Sequence, residues 1–106
     1  MPHLVLEYSA NLPDRPDLRK VLLDLHEALM ASALFERKDI KSRALRHDVF
    51  AVGDGAEDRA FVALSIAILD GRPDEVKAAL SEAALDVLLC AFPRLVAGGR
   101  GAISVE

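Results

Sequence analysis

The sequence lacks several features that would point directly to a function. Its one cysteine, Cys90, excludes an internal disulfide and supplies no metal cluster. Aromatic residues make up only 5% of the chain, and no basic stripe with interleaved aromatics indicates a nucleic-acid surface. No apolar run is long enough to cross a bilayer, and no basic-then-apolar leader precedes the first predicted strand. We therefore expect a cytoplasmic protein that binds neither nucleic acid nor a membrane.

Familiar catalytic motifs are also absent from the sequence. The three histidines, His3, His26 and His47, fit no metal-ligand spacing. We expect His26 at the surface of a helix and the other two packed across neighbouring strands. Neither DGRP nor AGGRG matches a phosphate-binding loop, and no Ser-His-Asp pattern has a local signature. Cys90 lies in an apolar helical pattern, which predicts a small core residue rather than a nucleophile.

Length and composition indicate one small globular domain. A chain of 106 residues is near the common size for a single domain, so we expect one domain over residues 1–106. Hydrophobic residues at 52% and charged residues at 28% are typical of a folded protein, and the net charge of −4 is mild. Because so small a chain buries a modest fraction of its surface, association with copies of itself would add stability.

Hydrophobic patterns predict four extended segments. Alternation predicts a strand over residues 3–9, with Leu4 and Leu6 on one face. The apolar run AFVALSIAIL, at 60–69, predicts a central strand covered on both faces. The segment IKSRALRHDVFAV reads as extended, and AISVE reads as a closing strand after a break at AGGRG.

Helical spacing predicts two helices, at about residues 16–33 and 73–91. Each begins with proline followed by aspartate, which suits the first turn of a helix. After the first helix, the polar connection LFERKD is interrupted by apolar Leu34 and Phe35. The element order is therefore β-α-β followed by a second β-α-β.

The two halves, roughly residues 2–52 and 58–106, form an architectural repeat in this interpretation. Strands joined through a helix pair in parallel with a right-handed crossover. We expect an α+β (α/β) fold in which two β-α-β units share one four-stranded sheet, with both helices on one face. The other face is predicted to be apolar and to need a cover, which another subunit would supply.

Pro2 is a candidate for acid–base chemistry. Methionine before a small residue such as proline is normally removed, which would leave Pro2 with a secondary amine at its nitrogen. Burial or nearby cations would lower the pKa of that amine from an ordinary α-amino value of about 8. A general base works best when its pKa is close to the working pH. The alternative is that Pro2 is a tolerated residue at the start of a strand.

Lys41, Arg43 and Arg72 are candidate ligands for substrate carboxylates. In an extended segment Lys41 and Arg43 share one face, and Arg72 lies before a helix whose N-terminus adds partial positive charge. Arginine binds a carboxylate through two parallel hydrogen bonds. The alternative is ordinary surface charge. We expect that alternative for four other basic residues: Arg37, Lys38, Arg46 and Arg59.

The segments PHLVLEYSANL and IKSR, and the apolar strand that leads into DGRP, occur in a familiar order and spacing. Over nearly the whole chain the sequence resembles the 5-carboxymethyl-2-hydroxymuconate Δ-isomerases, a family of the tautomerase superfamily. The resemblance implies a homotrimer whose subunits surround a central barrel of sheets. It also implies removal of the initiator methionine, and catalysis without a metal or organic cofactor.

The resemblance further implies roles for particular residues. Pro2 takes the position of the catalytic proline, and Arg72 matches the arginine at the end of the central strand. The family's Ile-Arg-Ser-Arg segment matches residues 40–43, so that Lys41 stands where the family has an arginine and Arg43 matches the second one. In the family these cations bind carboxylates and draw electron density from a dienol.

The activity that the resemblance implies is isomerisation of a muconate-type dienol carboxylic acid, by movement of a proton and a double bond. The reaction belongs to the bacterial breakdown of aromatic compounds such as homoprotocatechuate. Two alternatives stay open at this point. One is a related tautomerase that acts on another dienol acid, for which Lys41 is the reason. The other is a non-catalytic module that binds a small molecule or supports assembly, and that keeps Met1.

Overall fold

The computed structural model describes residues 1–98 and 101–106, so Gly99 and Arg100 of the predicted AGGRG break lie outside the described residues. The strands are β1 (His3–Ser9), β2 (Lys41–His47), β3 (Ala60–Ala67) and β4 (Gly101–Val105). The helices are α1 (Leu18–Met30), α2 (Asp74–Ala91) and the short α3 (Pro93–Ala97), and a 3₁₀ turn spans Arg37–Asp39. Within the described residues no helix has both the length and the apolar character needed to cross a membrane.

The strands form one mixed sheet in the order β2-β1-β3-β4. β1 pairs in parallel with β2, β3 pairs in parallel with β4, and the two halves meet through antiparallel pairing of β1 with β3. The predicted four-stranded sheet built from two β-α-β units is confirmed. His3 lies opposite Lys41 on one side and Ala67 on the other. The starts of β1 and β2 and the end of β3 therefore meet at the same end of the sheet.

The hydrophobic core lies between the two long helices and one face of the sheet. Alternation along β1 and β3 turns every second side chain toward the helices, where it is removed from water. Each fully buried leucine contributes roughly 1.5–3 kcal/mol to folding. Among the described residues, the fully buried aliphatic side chains include Leu4, Leu6, Val62 and Leu64 from the sheet, and Leu25, Leu29 and Leu88 from the helices.

The opposite face of the sheet differs from the expectation. We predicted an apolar face, but His3, Glu7, Lys41 and Arg43 lie among its small and aliphatic side chains. The expectation that β3 is covered on both faces is also wrong for a single chain, since Ser65 on this face is exposed. The helices cover one face only, and the second face is open and partly charged.

Both ends of α1 are set by local hydrogen bonds. Asp17 precedes the helix as its N-cap, and its Oδ1 accepts from the Lys20 amide at 3.3 Å. The helix ends at Met30, three residues before the predicted end, because Ala33 has a φ of 60°, in the left-handed region. Ser32 stabilises this turn by donating from its hydroxyl to the Leu29 carbonyl at 2.6 Å.

Helix α3 was not predicted from the sequence, because its stabilising partner is distant in the chain. Asp14, in the loop between β1 and α1, is only 8% exposed. Its Oδ1 accepts from the Arg94 amide at 3.0 Å, and its Oδ2 accepts from the Leu95 amide at 2.9 Å. One carboxylate therefore satisfies two amides at the start of α3 and ties that helix to the β1–α1 loop.

Replacing Asp14 with alanine is expected to lower the free energy of unfolding by roughly 1–3 kcal/mol, because two amides at the start of α3, one of them buried, lose a charged acceptor. Urea unfolding followed by circular dichroism, at one fixed protein concentration, measures this change. Asp24→Ala is the matched control: Asp24 pairs with Lys20 at the surface, and its loss should cost less than about 1 kcal/mol. Equal losses for the two variants would contradict the role given to Asp14.

Candidate active site

Pro2 lies at the end of the sheet where β1 begins, and it is almost fully buried. Its carbonyl accepts a hydrogen bond from the Lys41 amide at 3.1 Å, so the pairing of β1 with β2 extends to Pro2. Met1 is about half exposed and is joined to Pro2 by a peptide bond. With Met1 in place the Pro2 nitrogen is an amide, and only removal of Met1 would make it a basic amine.

Two of the predicted cations, Lys41 and Arg43, lie near the start of β1 on the open face of the sheet. Lys41 is opposite His3 in the parallel register, and the Arg43 guanidinium donates from Nη2 to His3 Nδ1 at 3.1 Å. Burial lowers the pKa of His3, and the amino terminus, Arg43 and Lys41 lower it further. A neutral His3 is the form that accepts a hydrogen bond from Arg43, so the electrostatics and the geometry agree.

The serine between these cations faces the helices and is held by α1. His26 Nε2 and Ser42 Oγ are 2.7 Å apart, and burial lowers the pKa of His26 against a smaller opposing effect of Glu27. The prediction that His26 lies at the surface is wrong. It is half-buried because it crosses from α1 to β2, and this contact fixes the strand segment that carries Lys41 and Arg43.

Arg72 lies in the loop after β3, beyond the residue that pairs with His3. Its guanidinium carbon is 5.2 Å from the centre of the Phe35 ring, and its Nη2 donates to the Leu34 carbonyl at 3.5 Å. The Nε atom is buried and has no hydrogen-bond partner among residues 1–98 and 101–106. Arg72 is therefore directed toward the segment after α1, whereas Lys41 and Arg43 lie on the open sheet face.

Pairing with carboxylates separates the basic residues into two groups. The four that were predicted to be ordinary surface charge each lie within 4.0 Å of a carboxylate. The pairs are Arg37 with Glu27, Lys38 with Glu36, Arg46 with Asp48, and Arg59 with Asp54. Lys41, Arg43 and Arg72 form no such pair within the part of the chain that the structure describes. Some basic residues elsewhere are also unpaired, so the distinctive feature is two unpaired cations that lie together near the start of β1.

Two other sequence predictions have different outcomes. His47 pairs across neighbouring strands as expected, with its Nε2 2.9 Å from Glu7 Oε1. Cys90 was predicted to be in the core, but it is exposed. The reason is its position on α2, two residues after the fully buried Leu88 and so nearly opposite it around the helix. Across the described residues, no three His, Cys, Asp or Glu side chains come together as a metal site.

Phe35 and His26, which contact Arg72 and Ser42, were not predicted from the sequence to position the candidate cations. An available signal for Phe35 was its place as an apolar residue in the otherwise polar LFERKD connection. No comparable signal exists for His26, because its partner Ser42 is 16 residues away and the distance becomes short only when α1 packs on β2.

A sheet of two β-α-β units under two helices is the fold of the tautomerase superfamily, and the chain shares it with solved structures of that superfamily. One of them, described as a fused 4-OT wild-type symmetric trimer, matches with a TM-score of 0.68 at 19% identity, over 99% of this chain and 84% of that chain. At this identity the likeness shows the fold alone.

The sequence profile of the 5-carboxymethyl-2-hydroxymuconate isomerase family matches residues 2–106, and the chain belongs to this family. It is 28% identical to the 5-carboxymethyl-2-hydroxymuconate Delta-isomerase of Escherichia coli, over all of this chain and 84% of that protein. The crystal structure of a 5-carboxymethyl-2-hydroxymuconate isomerase from Deinococcus radiodurans matches with a TM-score of 0.87 at 37% identity, over 99% of this chain and 79% of that one. The predicted family is confirmed.

The contact of His26 with Ser42 predicts a pH-dependent stability. Because the folded chain lowers the pKa of His26 from its ordinary 6.5, the unfolded chain binds more protons below that value. This contribution to stability is complete well above pH 6.5 and is lost as the pH falls through 6.5 toward the folded-state pKa. In His26→Gln, which keeps a polar side chain but cannot titrate, the free energy of unfolding should fall less between pH 7.5 and 5.5.

Urea unfolding of both proteins at several pH values measures the effect. The quantity to follow is the difference in unfolding free energy between wild type and His26→Gln, which should shrink as the pH is lowered. A difference that stays constant from pH 7.5 to 5.5 would show that His26 does not titrate as its burial requires.

Proposed function

We propose that this member of the isomerase family is a cofactor-independent tautomerase. Its substrate would be 5-carboxymethyl-2-hydroxymuconate or a closely similar dienol carboxylic acid, in which it moves a proton and a double bond. The observation that carries the proposal is a pair of unpaired cations near the start of β1: Lys41, whose amide donates to the Pro2 carbonyl, and Arg43, which contacts His3. The names of the Escherichia coli and Deinococcus radiodurans relatives support the substrate class.

Pro2 is the general acid–base catalyst in this proposal. After removal of Met1, its amine takes a proton from the dienol hydroxyl or from an acidic carbon and returns it to another carbon of the substrate. Burial of the Pro2 ring and the positive charges of Lys41 and Arg43 both disfavour the protonated amine. A neutral amine held in place by the hydrogen bond of its own carbonyl is suited to proton transfer.

In this proposal Lys41 and Arg43 on the open sheet face, and Arg72 in the loop after β3, bind different carboxylates of the substrate and stabilise the negative charge that develops on the dienol. Cations fixed in place before the reaction can contribute much of the rate enhancement. Arginine binds a carboxylate through a planar fork, whereas the Lys41 ammonium acts as a point charge. This difference at position 41 favours, as a second candidate, a related dienol acid with another arrangement of carboxylates.

We also infer that residues 1–106 form a single domain with pseudo-repeats at 2–52 and 58–106, that the chain acts in the cytoplasm, and that it assembles as a homotrimer. The open sheet face supports the trimer, because this face is uncovered in a single chain while exposed Leu45 lies on it. The fused 4-OT structure with the same fold is described as a symmetric trimer. In such an assembly the open faces would meet one another.

Replacing Pro2 with alanine is expected to lower kcat at least about 100-fold, since a positioned general base contributes that much or more. Alanine also permits removal of Met1, so mass spectrometry of both proteins must first show a chain without methionine. Steady-state turnover of the dienol then gives kcat. The control is Pro13→Ala in an exposed loop, which should keep wild-type turnover. Full activity of Pro2→Ala, or of a chain that retains Met1, would remove Pro2 from the mechanism.

The assignment of the cations is tested by single alanine substitutions of Arg43 and Arg72, with Arg37→Ala as the matched control. Each test variant loses a charged hydrogen bond to a carboxylate, so kcat/KM should fall by about tenfold or more. Arg37 pairs with Glu27 at the surface, and its loss should change kcat/KM by less than about twofold. The same fall for all three variants would indicate a general charge effect rather than a carboxylate site.

A further inference from the structure

The surroundings of Arg72 differ from those of a solvated arginine. Its guanidinium lies over the Phe35 ring, with 5.2 Å between Cζ and the ring centre, and its Nη2 donates to the Leu34 carbonyl. A cation over an aromatic face is attracted by the negative charge density of the ring. The ring and the carbonyl therefore restrict the guanidinium from two directions, and both come from the segment that follows α1.

The segment that holds Arg72 is itself fixed. Ser32 donates to the Leu29 carbonyl and accepts from the Leu34 amide at 3.3 Å, and Ala33 adopts the left-handed conformation that redirects the chain. The backbone that supplies the Leu34 carbonyl and carries Phe35 is thus anchored to the last turn of α1. On the other side, Gly71 precedes Arg72 with a φ of +99°, which side chains other than glycine rarely adopt. Both partners of the contact are held by their own backbones.

The Arg72 side chain is held in place but its hydrogen-bonding capacity is not used up. Among the described residues the buried Nε has no hydrogen-bond partner, and no carboxylate of those residues lies within 4.0 Å of the guanidinium. A guanidinium has five N–H donors in a planar fork. Partly buried charges are normally paired, so an oriented and unpaired arginine indicates that an anion binds there.

We propose that Phe35 is a positioning residue of this isomerase. Its ring, with the Leu34 carbonyl, fixes the plane of the Arg72 guanidinium so that the terminal N–H donors meet a carboxylate of the dienol substrate. The inference rests on the proposed function in one respect, namely that Arg72 binds a substrate carboxylate. Phe35 itself does not touch the substrate and acts through Arg72.

The test measures KM and kcat for the dienol, and the Kd of the non-reacting dicarboxylate cis,cis-muconate by calorimetry. In Phe35→Leu, which keeps an apolar side chain but loses the ring, KM and the muconate Kd should each rise about threefold to thirtyfold. The value of kcat should change by less, because Arg72 stays present and only its orientation is lost. Phe35→Tyr keeps the aromatic face and should restore wild-type KM and Kd.

A matched control and a double variant separate positioning from a general effect on folding. Phe50→Leu makes the same change in the loop after β2, where the Phe50 ring packs against Phe61 of β3. This variant should leave KM unchanged. In an Arg72→Ala background, Phe35→Leu should raise the muconate Kd by less than about twofold, since the residue through which it acts is gone. An equal rise in both backgrounds would show a merely structural role and overturn the proposal.

The remaining outcomes distinguish this proposal from the proposed function. If Arg72→Ala raises KM and Kd while Phe35→Leu changes neither, the positioning role is overturned and the isomerase proposal stands. If Arg72→Ala changes neither constant, Phe35 has nothing to act through and the positioning role is overturned with it. If the wild-type chain does not convert the dienol, the proposed function fails, and the muconate titrations still decide the role of Phe35.

Discussion

The central position of β1 in the sheet is the constraint on which the rest of the structure depends. β1 pairs in parallel with β2 and antiparallel with β3, and so joins the two β-α-β halves. Its register places His3 between Lys41 and Ala67, and its pairing with β2 begins at the hydrogen bond from the Lys41 amide to the Pro2 carbonyl. A shift of this register by one residue would turn Leu4 and Leu6 to the open face and expose the core. The burial of those two leucines therefore also fixes where Pro2 and the cations lie.

The same alternation separates the structural and chemical sides of β2. Ser42 faces the helices and is held by His26, while Lys41 and Arg43 face away from the helices. A strand that is fixed from its buried side can present unpaired cations on its other side without losing its position. The remaining cost is the mutual repulsion of positive charges, and a dicarboxylate substrate would relieve it.

A single chain leaves this arrangement open. The helices cover one sheet face, and the other combines charged and apolar side chains that are half-buried or exposed. Hydrogen bonds such as that of His47 with Glu7 already satisfy some of the polar groups on this face. A subunit placed on it, as in the proposed trimer, would bury the aliphatic side chains and remove water from the vicinity of Pro2, which strengthens the electrostatic effect of nearby cations.

The sequence by itself determined the features that repeat along a single element. Alternation in β1 predicted that strand and its buried side, helical spacing predicted α2, and the opening segment and IKSR predicted the family. It also separated Lys41, Arg43 and Arg72 from four basic residues that proved to be paired with carboxylates. These predictions succeed because each depends on neighbours within a few residues, or on a motif that keeps its spacing.

Only the tertiary structure decided which distant groups meet. The cap of Asp14 on α3 joins residues 80 positions apart, and the contact of Arg72 with Leu34 joins residues 38 positions apart. The same is true of His26, whose polar surroundings along α1 suggested the surface although it lies against Ser42. No periodic pattern records such contacts, because they arise when packing of the apolar faces brings separate elements together. The positions of the polar partners follow from that packing.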